Sequence, residues 1–109
     1  MHGLVFGAAD MHSGYRFEIC RNGTYKITGV ARDNKALLKD STLSAAIKKG
    51  PNAENLLSVK RKGLTWIFLI NSQPVITLVA LPFYGDKIGV VMSGIQKASF
   101  DNLKVKTEL

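Results

Sequence analysis

Short runs in which apolar and polar residues alternate, each stopped by Asn, Gly, Pro or Ser, constrain this chain more than any other feature. Between Tyr15 and Cys20, the side chains of Tyr15, Phe17 and Ile19 fall on one side of an extended backbone and those of Arg16 and Glu18 on the other. The next run repeats the pattern, with Tyr25 and Ile27 apolar and Thr24, Lys26 and Thr28 polar. Runs of this kind predict strands near residues 3–7, 15–20, 24–30, 55–62, 64–70, 75–81, 86–92 and 98–106. Many short strands with turn residues between them predict an all-β, antiparallel sandwich or barrel. With 109 residues, the chain is the size of one domain, residues 1–109.

The first hairpin carries enough pattern to fix its own register. A two-residue Asn22-Gly23 loop would set apolar Ile19 opposite Lys26. A three-residue loop of Arg21, Asn22 and Gly23, with Gly23 at positive φ in a bulge, sets Ile19 opposite Tyr25 and Glu18 opposite Lys26. The second arrangement is the expected one. Farther along, Leu64, Trp66, Phe68 and Ile70 share one face of a strand and Thr65, Ile67 and Leu69 the other. The run from Val75 to Leu81 is apolar on both faces too, and Asn71-Ser72-Gln73-Pro74 joins the two as hairpin neighbours. Their second face is expected to gather Ile67, Leu69 and Ile76 into a patch fit for self-association. Residues 31–54 read poorly, the segment around Ser41–Lys49 being either a short helix stopped by Gly50-Pro51 or an extended loop.

Several function classes are disfavoured by composition. The longest apolar stretch, residues 64–70, is far below the roughly 20 residues of a membrane-spanning helix. The N-terminus meets Asp10 and His12 too soon for a secretory signal. A single cysteine, Cys20, gives no intramolecular disulfide and no multi-cysteine metal site. Cys20 with His12 has no third group to orient it as a nucleophile and base. The net charge of +7 invites anionic partners, with Lys48, Lys49, Lys60, Arg61 and Lys62 the densest groups. Single-strand nucleic-acid binding also needs exposed aromatics between the basic residues, and here the aromatics alternate inward, so nucleic acid is not an expected partner. The lysines read as solvated edges.

The strings "GLVFGAADMHSGYRFEI", "NGTYKI", "AIKKGPNAENLLSVKRKGLTWIFLINSQPV", "DKIGVVMSG" and "ASFDNLKV", in this order, resemble the concanavalin A-like lectin/glucanase superfamily. The likeness is to its laminin G-like modules, common in bacterial extracellular and multidomain proteins. The resemblance implies a jelly-roll β-sandwich, an extracytoplasmic setting and glycans or protein surfaces as ligands. It also implies one or two strands before "GLVF" that pair with the closing "FDNLKV" strand. Only Met1 and His2 stand there, so the module reads as N-terminally shortened, its gap open to strand exchange or edge pairing with a second copy. Where such modules carry "ING", this chain has Ser72, which turns less easily if positive φ is required.

The superfamily's retaining glucanases need acidic residues two to three apart on one strand. Glu18, Glu54 and Glu108 have no such neighbours in sequence, so no enzymatic activity is expected. No cofactor is expected either. Asp101 is the one position where the resemblance places a calcium ligand, and the other ligands would come partly from the segment that is absent. Asp101-Asn102 reads instead as a bulge, because Phe100 and Leu103 cannot face the same side of a regular strand.

The expected function is therefore a non-catalytic binding module for carbohydrate or a protein surface. A sugar needs an aromatic platform and flanking hydrogen-bond groups, for which Arg16, Glu18, Lys26, Phe83 and Tyr84 are the candidates. The alternative is a homodimerising structural unit that uses Ile67, Leu69 and Ile76. The expected core comprises Val5, Tyr15, Phe17, Ile19, Tyr25, Ile27, Leu57, Val59, Trp66, Phe68, Ile88, Val90, Phe100, Leu103 and Val105.

Overall fold

The inward-facing aromatics of the alternating runs meet across two sheets. The computed structural model describes residues 2–10, 13–31, 34–50, 53–80, 87–90 and 102–108. Among them are the strands β1 (His2–Asp10), β2 (Ser13–Ile19), β3 (Thr24–Ala31), β4 (Asn34–Leu43), β5 (Glu54–Lys62), β6 (Thr65–Ile70), β7 (Gln73–Val79), β8 (Lys87–Val90) and β9 (Asn102–Glu108). They form two antiparallel sheets in the orders β4-β3-β2-β1-β8 and β7-β6-β5-β9.

Each of the eight strands expected from alternation is present with ends shifted by a few residues. The addition is β4, within the poorly read residues 31–54; it takes only residues 41–43 of the stretch read as helix or loop, and the rest of that stretch up to Gly50 is turn and bend, without helix. Its alternation is broken because its pairing with β3 shifts on both sides of Ile27. The first hairpin has the expected register, Ile19 opposite Tyr25 and Glu18 opposite Lys26. Gly23 N–H donates to Cys20 O at 3.0 Å, Cys20 N–H donates to Thr24 O at 2.9 Å, and Gly23 takes φ 84°. That is a three-residue loop closed by a glycine bulge. Asn22 Oδ1 braces it, accepting from Thr24 N–H at 3.2 Å and Thr24 Oγ1 at 2.7 Å.

Between the sheets lie Leu4, Phe6, Tyr15, Phe17, Ile19, Tyr25 and Ile27 from one side, and Leu57, Val59, Trp66, Phe68 and Ile70 from the other. Phe6 and Tyr15 each set an edge against Trp66, with ring centroids 5.2 and 5.0 Å apart, and Phe17 meets Phe68 at 5.1 Å. Tyr25 Oη reaches across to donate to Val75 O at 3.4 Å. Val5 is not part of this core. Leu4 pairs with Phe17 and Phe6 with Tyr15, so the inward parity of β1 belongs to Leu4 and Phe6, leaving Val5 on the outer side opposite Arg16. Val90 falls opposite Leu4, Val105 opposite Leu57 and Leu103 opposite Val59. Phe100 and the expected bulge at Asp101 lie outside the described residues.

The expected patch of Ile67, Leu69 and Ile76 does not form. Leu69 pairs with Pro74 but Phe68 pairs with Ile76, so Val75 is an extra residue in β7. One extra residue sends every later side chain to the opposite face. Ile76 and Leu78 thereby join the core, while Thr77 and Val79 take the outer positions beside Ile67 and Thr65. Leu69 is only 7% exposed.

Burial raises the Tyr25 phenol above its ordinary value of about 10. The folded state holds the neutral form, so this contribution is complete below about pH 10 and is lost as pH rises through the raised value. Urea midpoints measured across the alkaline range should fall above about pH 10, and Tyr25→Phe should make that fall shallower.

Candidate functional site

The β6–β7 connection turns in two residues, and both carry positive φ: Asn71 at 52° and Ser72 at 67°. Consecutive left-handed residues between paired Ile70 and Gln73 make a type I′ hairpin loop. Asparagine enters this region readily. An ordinary L-residue such as serine gives up roughly 1–2 kcal/mol there.

Asn71 is held by every polar atom it has for the purpose. Its N–H donates to Leu56 O at 2.8 Å, and its Oδ1 accepts from Leu56 N–H at 2.9 Å. Its Nδ2 donates to Ala46 O and to Asn55 Oδ1, both at 2.8 Å. Asn55 is fully buried, and its amide pairs with the Lys48 backbone as a strand would, accepting from N–H at 2.8 Å and donating to C=O at 3.1 Å. The two amides thus tie the segment after β4 to the β5–β6–β7 sheet, with Ala46 and Ile47 buried beneath.

A cavity of about 310 Å³ opens over this network, lined by Lys48, Glu54, Leu56, Asn71 and Ser72. It offers an ammonium, a carboxylate, a hydroxyl and one aliphatic side chain, the Asn71 amide being engaged within the protein. The groups donate and accept hydrogen bonds around a small apolar floor, which suits a neutral polyhydroxylated molecule better than an ion. The register also makes Glu54 and Glu108 cross-strand partners on β5 and β9. That proximity was invisible in the sequence, where the two glutamates stand far apart.

Of the residues proposed from sequence, Arg16, Glu18 and Lys26 do share the outer face of the β1–β2–β3 sheet, Glu18 opposite Lys26 and Arg16 opposite Thr28. Glu18 is 9% exposed while Arg16 and Lys26 are half-buried, so the face offers a ligand mainly its two cations. Phe83, Tyr84, Asp101 and His12 lie outside the described residues. Among the described residues, no three His, Cys, Asp or Glu side chains gather as a metal site. The cavity was missed because its members come from segments that show no motif. One signal was present: Asn55 shares strand parity with Leu57 and Val59, and a polar residue at a core position needs a buried partner.

The chain matches no family model, no curated protein and no solved structure.

Asn55→Leu strands the Lys48 N–H and C=O and one Asn71 proton, and should lower the unfolding free energy by about 3 kcal/mol in urea titration. In the same assay, Ser72→Gly should raise it by about 1 kcal/mol, since glycine occupies the turn conformation without penalty.

Proposed function

We propose that the chain is a non-catalytic carbohydrate-binding module, built as a jelly-roll β-sandwich of the concanavalin A-like, laminin G-like kind. Two facing antiparallel sheets are compatible with that architecture. The observation that carries the functional reading is the cavity at the Asn71-Ser72 turn, where Lys48, Glu54, Asn71 and Ser72 converge around Leu56. A pyranose presents hydroxyls around its rim and C–H groups on its faces, and this lining meets both kinds of surface. The floor is already rigid, because the amides beneath it have their hydrogen bonds within the protein. Little ordering would remain to oppose binding.

Titration of the intact chain with a panel of neutral and acidic oligosaccharides, followed by NMR, tests this. Shifts should centre on Lys48, Glu54 and Ser72. Glu54→Gln and Lys48→Ala, both at exposed positions, should each weaken binding roughly tenfold or more. Shifts confined to Arg16 and Lys26, and lost in Arg16→Ala, would move the site to the outer face of the other sheet. Binding to no sugar in the panel would remove the reading.

The Glu54–Glu108 pairing favours one second reading, glycoside hydrolysis. Such hydrolysis uses two carboxyl groups about 5–10 Å apart, and the register sets these two glutamates opposite each other on neighbouring strands. Release of new reducing ends from the same oligosaccharides, abolished in Glu54→Gln, would establish it over binding alone.

A further inference from the structure

At the opposite end of β5 and β6 from the cavity, the hairpin tip has a composition the binding module does not use. Lys60, Arg61 and Lys62 are consecutive and exposed, Gly63 turns the chain at φ 60°, and Leu64 stands at the apex, 78% exposed. Val79, 70% exposed, sits opposite Thr65 on the neighbouring strand. An isolated surface leucine needs no explanation. Here two exposed aliphatics stand at one end of a sheet, with Lys60 and Lys62 on the strand beside them.

The tip is also held in shape. Thr65 Oγ1 donates to Lys62 O at 2.7 Å, Arg61 Nε donates to Gly63 O at 3.2 Å, and Ala80 N–H donates to Leu64 O at 2.8 Å. Glycine at positive φ followed by a residue at negative φ is the sign pattern of a type II′ turn, which suits a twisted hairpin. The apex is therefore presented by fixed backbone bonds.

Among the described residues of this sheet the acids lie away from the tip, while Lys104 and Lys106 of β9 pair with Ser58 and Leu56 along β5. The sheet's described acids, Glu54 and Glu108, pair at the far end of β5, about 20 Å from Lys60 at roughly 3.3 Å per residue. That separation is about twice the screening length at physiological salt. Glu18 and Asp40 belong to the other sheet.

We propose that this tip docks the protein on an anionic lipid bilayer, Leu64 and Val79 entering the headgroup region while Lys60 and Lys62 lie against the negative surface. A bilayer supplies both negative charge and hydrocarbon at one boundary. A nucleic acid or an acidic polysaccharide supplies the charge with no place for an aliphatic apex. The aromatics of β6, Trp66 and Phe68, are fully buried, so they form no stacking platform for bases.

The test is co-sedimentation of the intact chain with vesicles of phosphatidylcholine alone and of phosphatidylcholine with phosphatidylglycerol, with dextran sulfate as a soluble polyanion. Binding should require phosphatidylglycerol and weaken as salt is raised. The pair Lys60→Ala and Lys62→Ala should lose roughly 25-fold in partitioning, about fivefold per cation. Leu64→Ser should lose roughly fivefold on vesicles and nothing on dextran sulfate. Emission from buried Trp66 reports that each variant is folded. Absence of binding to the anionic vesicles overturns the proposal. So does binding that Leu64→Ser leaves unchanged, which would make the tip a site for soluble polyanions.

Discussion

Five aromatic rings locked edge to face between the sheets fix almost everything else in this structure. Phe6, Tyr15 and Phe17 stand on one sheet, and Trp66 and Phe68 on the other. The Phe6–Trp66, Tyr15–Trp66 and Phe17–Phe68 contacts lie at 5.0–5.2 Å with planes inclined by 74–85°. Such pairs add about 0.5–1.5 kcal/mol each beyond the area they bury, and they have a preferred geometry as well as a preferred distance. An oily layer of leucines would allow the sheets to slide, whereas an edge seated on a ring face resists sliding. With Phe17 and Phe68 pointing inward, the parity of β2 and β6 is settled. Strand pairing then passes that parity outward to β1, β3 and β5.

Parity stops being transmitted where a bulge intervenes, and the outer surface is decided at such places. Val75 is the clearest case. Pro74 cannot donate to a ladder, which confines it to edge strands or irregularities, and β7 is an edge with its irregularity at the next residue. Without the extra residue, Ile76 would lie outside with Ile67, giving an apolar face on an open edge, the arrangement most prone to uncontrolled association. With it, Ile76 and Leu78 complete the core, and Thr77 takes the outer place beside Ile67. The same shift brings Val79 to the outer position beside the hairpin tip.

Strands with one wet face were legible, because alternation reports directly on a half-buried sheet. The Tyr15–Ile19 and Tyr25–Ile27 runs, their register and the role of Gly23 could be read without a structure. β4 could not. Its sequence places Leu37 and Leu38 side by side among polar residues, and its pairing with β3 is twice irregular. In β1 the two parities, Leu4 with Phe6 and Gly3 with Val5, are both small enough in number to mislead, and the larger pair is the buried one. The site was the least legible part. Asn71 joins Ala46, Asn55 and Leu56 through side-chain hydrogen bonds, and such contacts follow from the path of the chain, not from local pattern. On the outer face of the first sheet, Arg16, Glu18 and Lys26 were placed correctly by parity, yet parity gives no measure of how far Glu18 would be covered.

The two ends of the β5–β6–β7 sheet solve the same problem, reversing the chain in two residues, with different chemistry. At the tip, Gly63 takes the positive φ and the side chains of Arg61 and Thr65 close the turn. At the cavity, asparagine and serine take two positive φ angles in succession. The Asn71 amide has a structural reason to be there, because glycine at that position would leave Ala46 O and the Leu56 N–H without their partner and take one of two donors from Asn55 Oδ1. Ser72 has no comparable set of internal bonds to justify its conformation. Glycine would relax the backbone at position 72, but it would also remove the hydroxyl that lines the cavity. Strain held by a residue that contributes nothing to the core and one polar group to a cleft is the pattern found where a backbone is shaped for a ligand. Under the binding proposed above, that contrast between two turns of one sheet favours the cavity end over the broad outer face of either sheet.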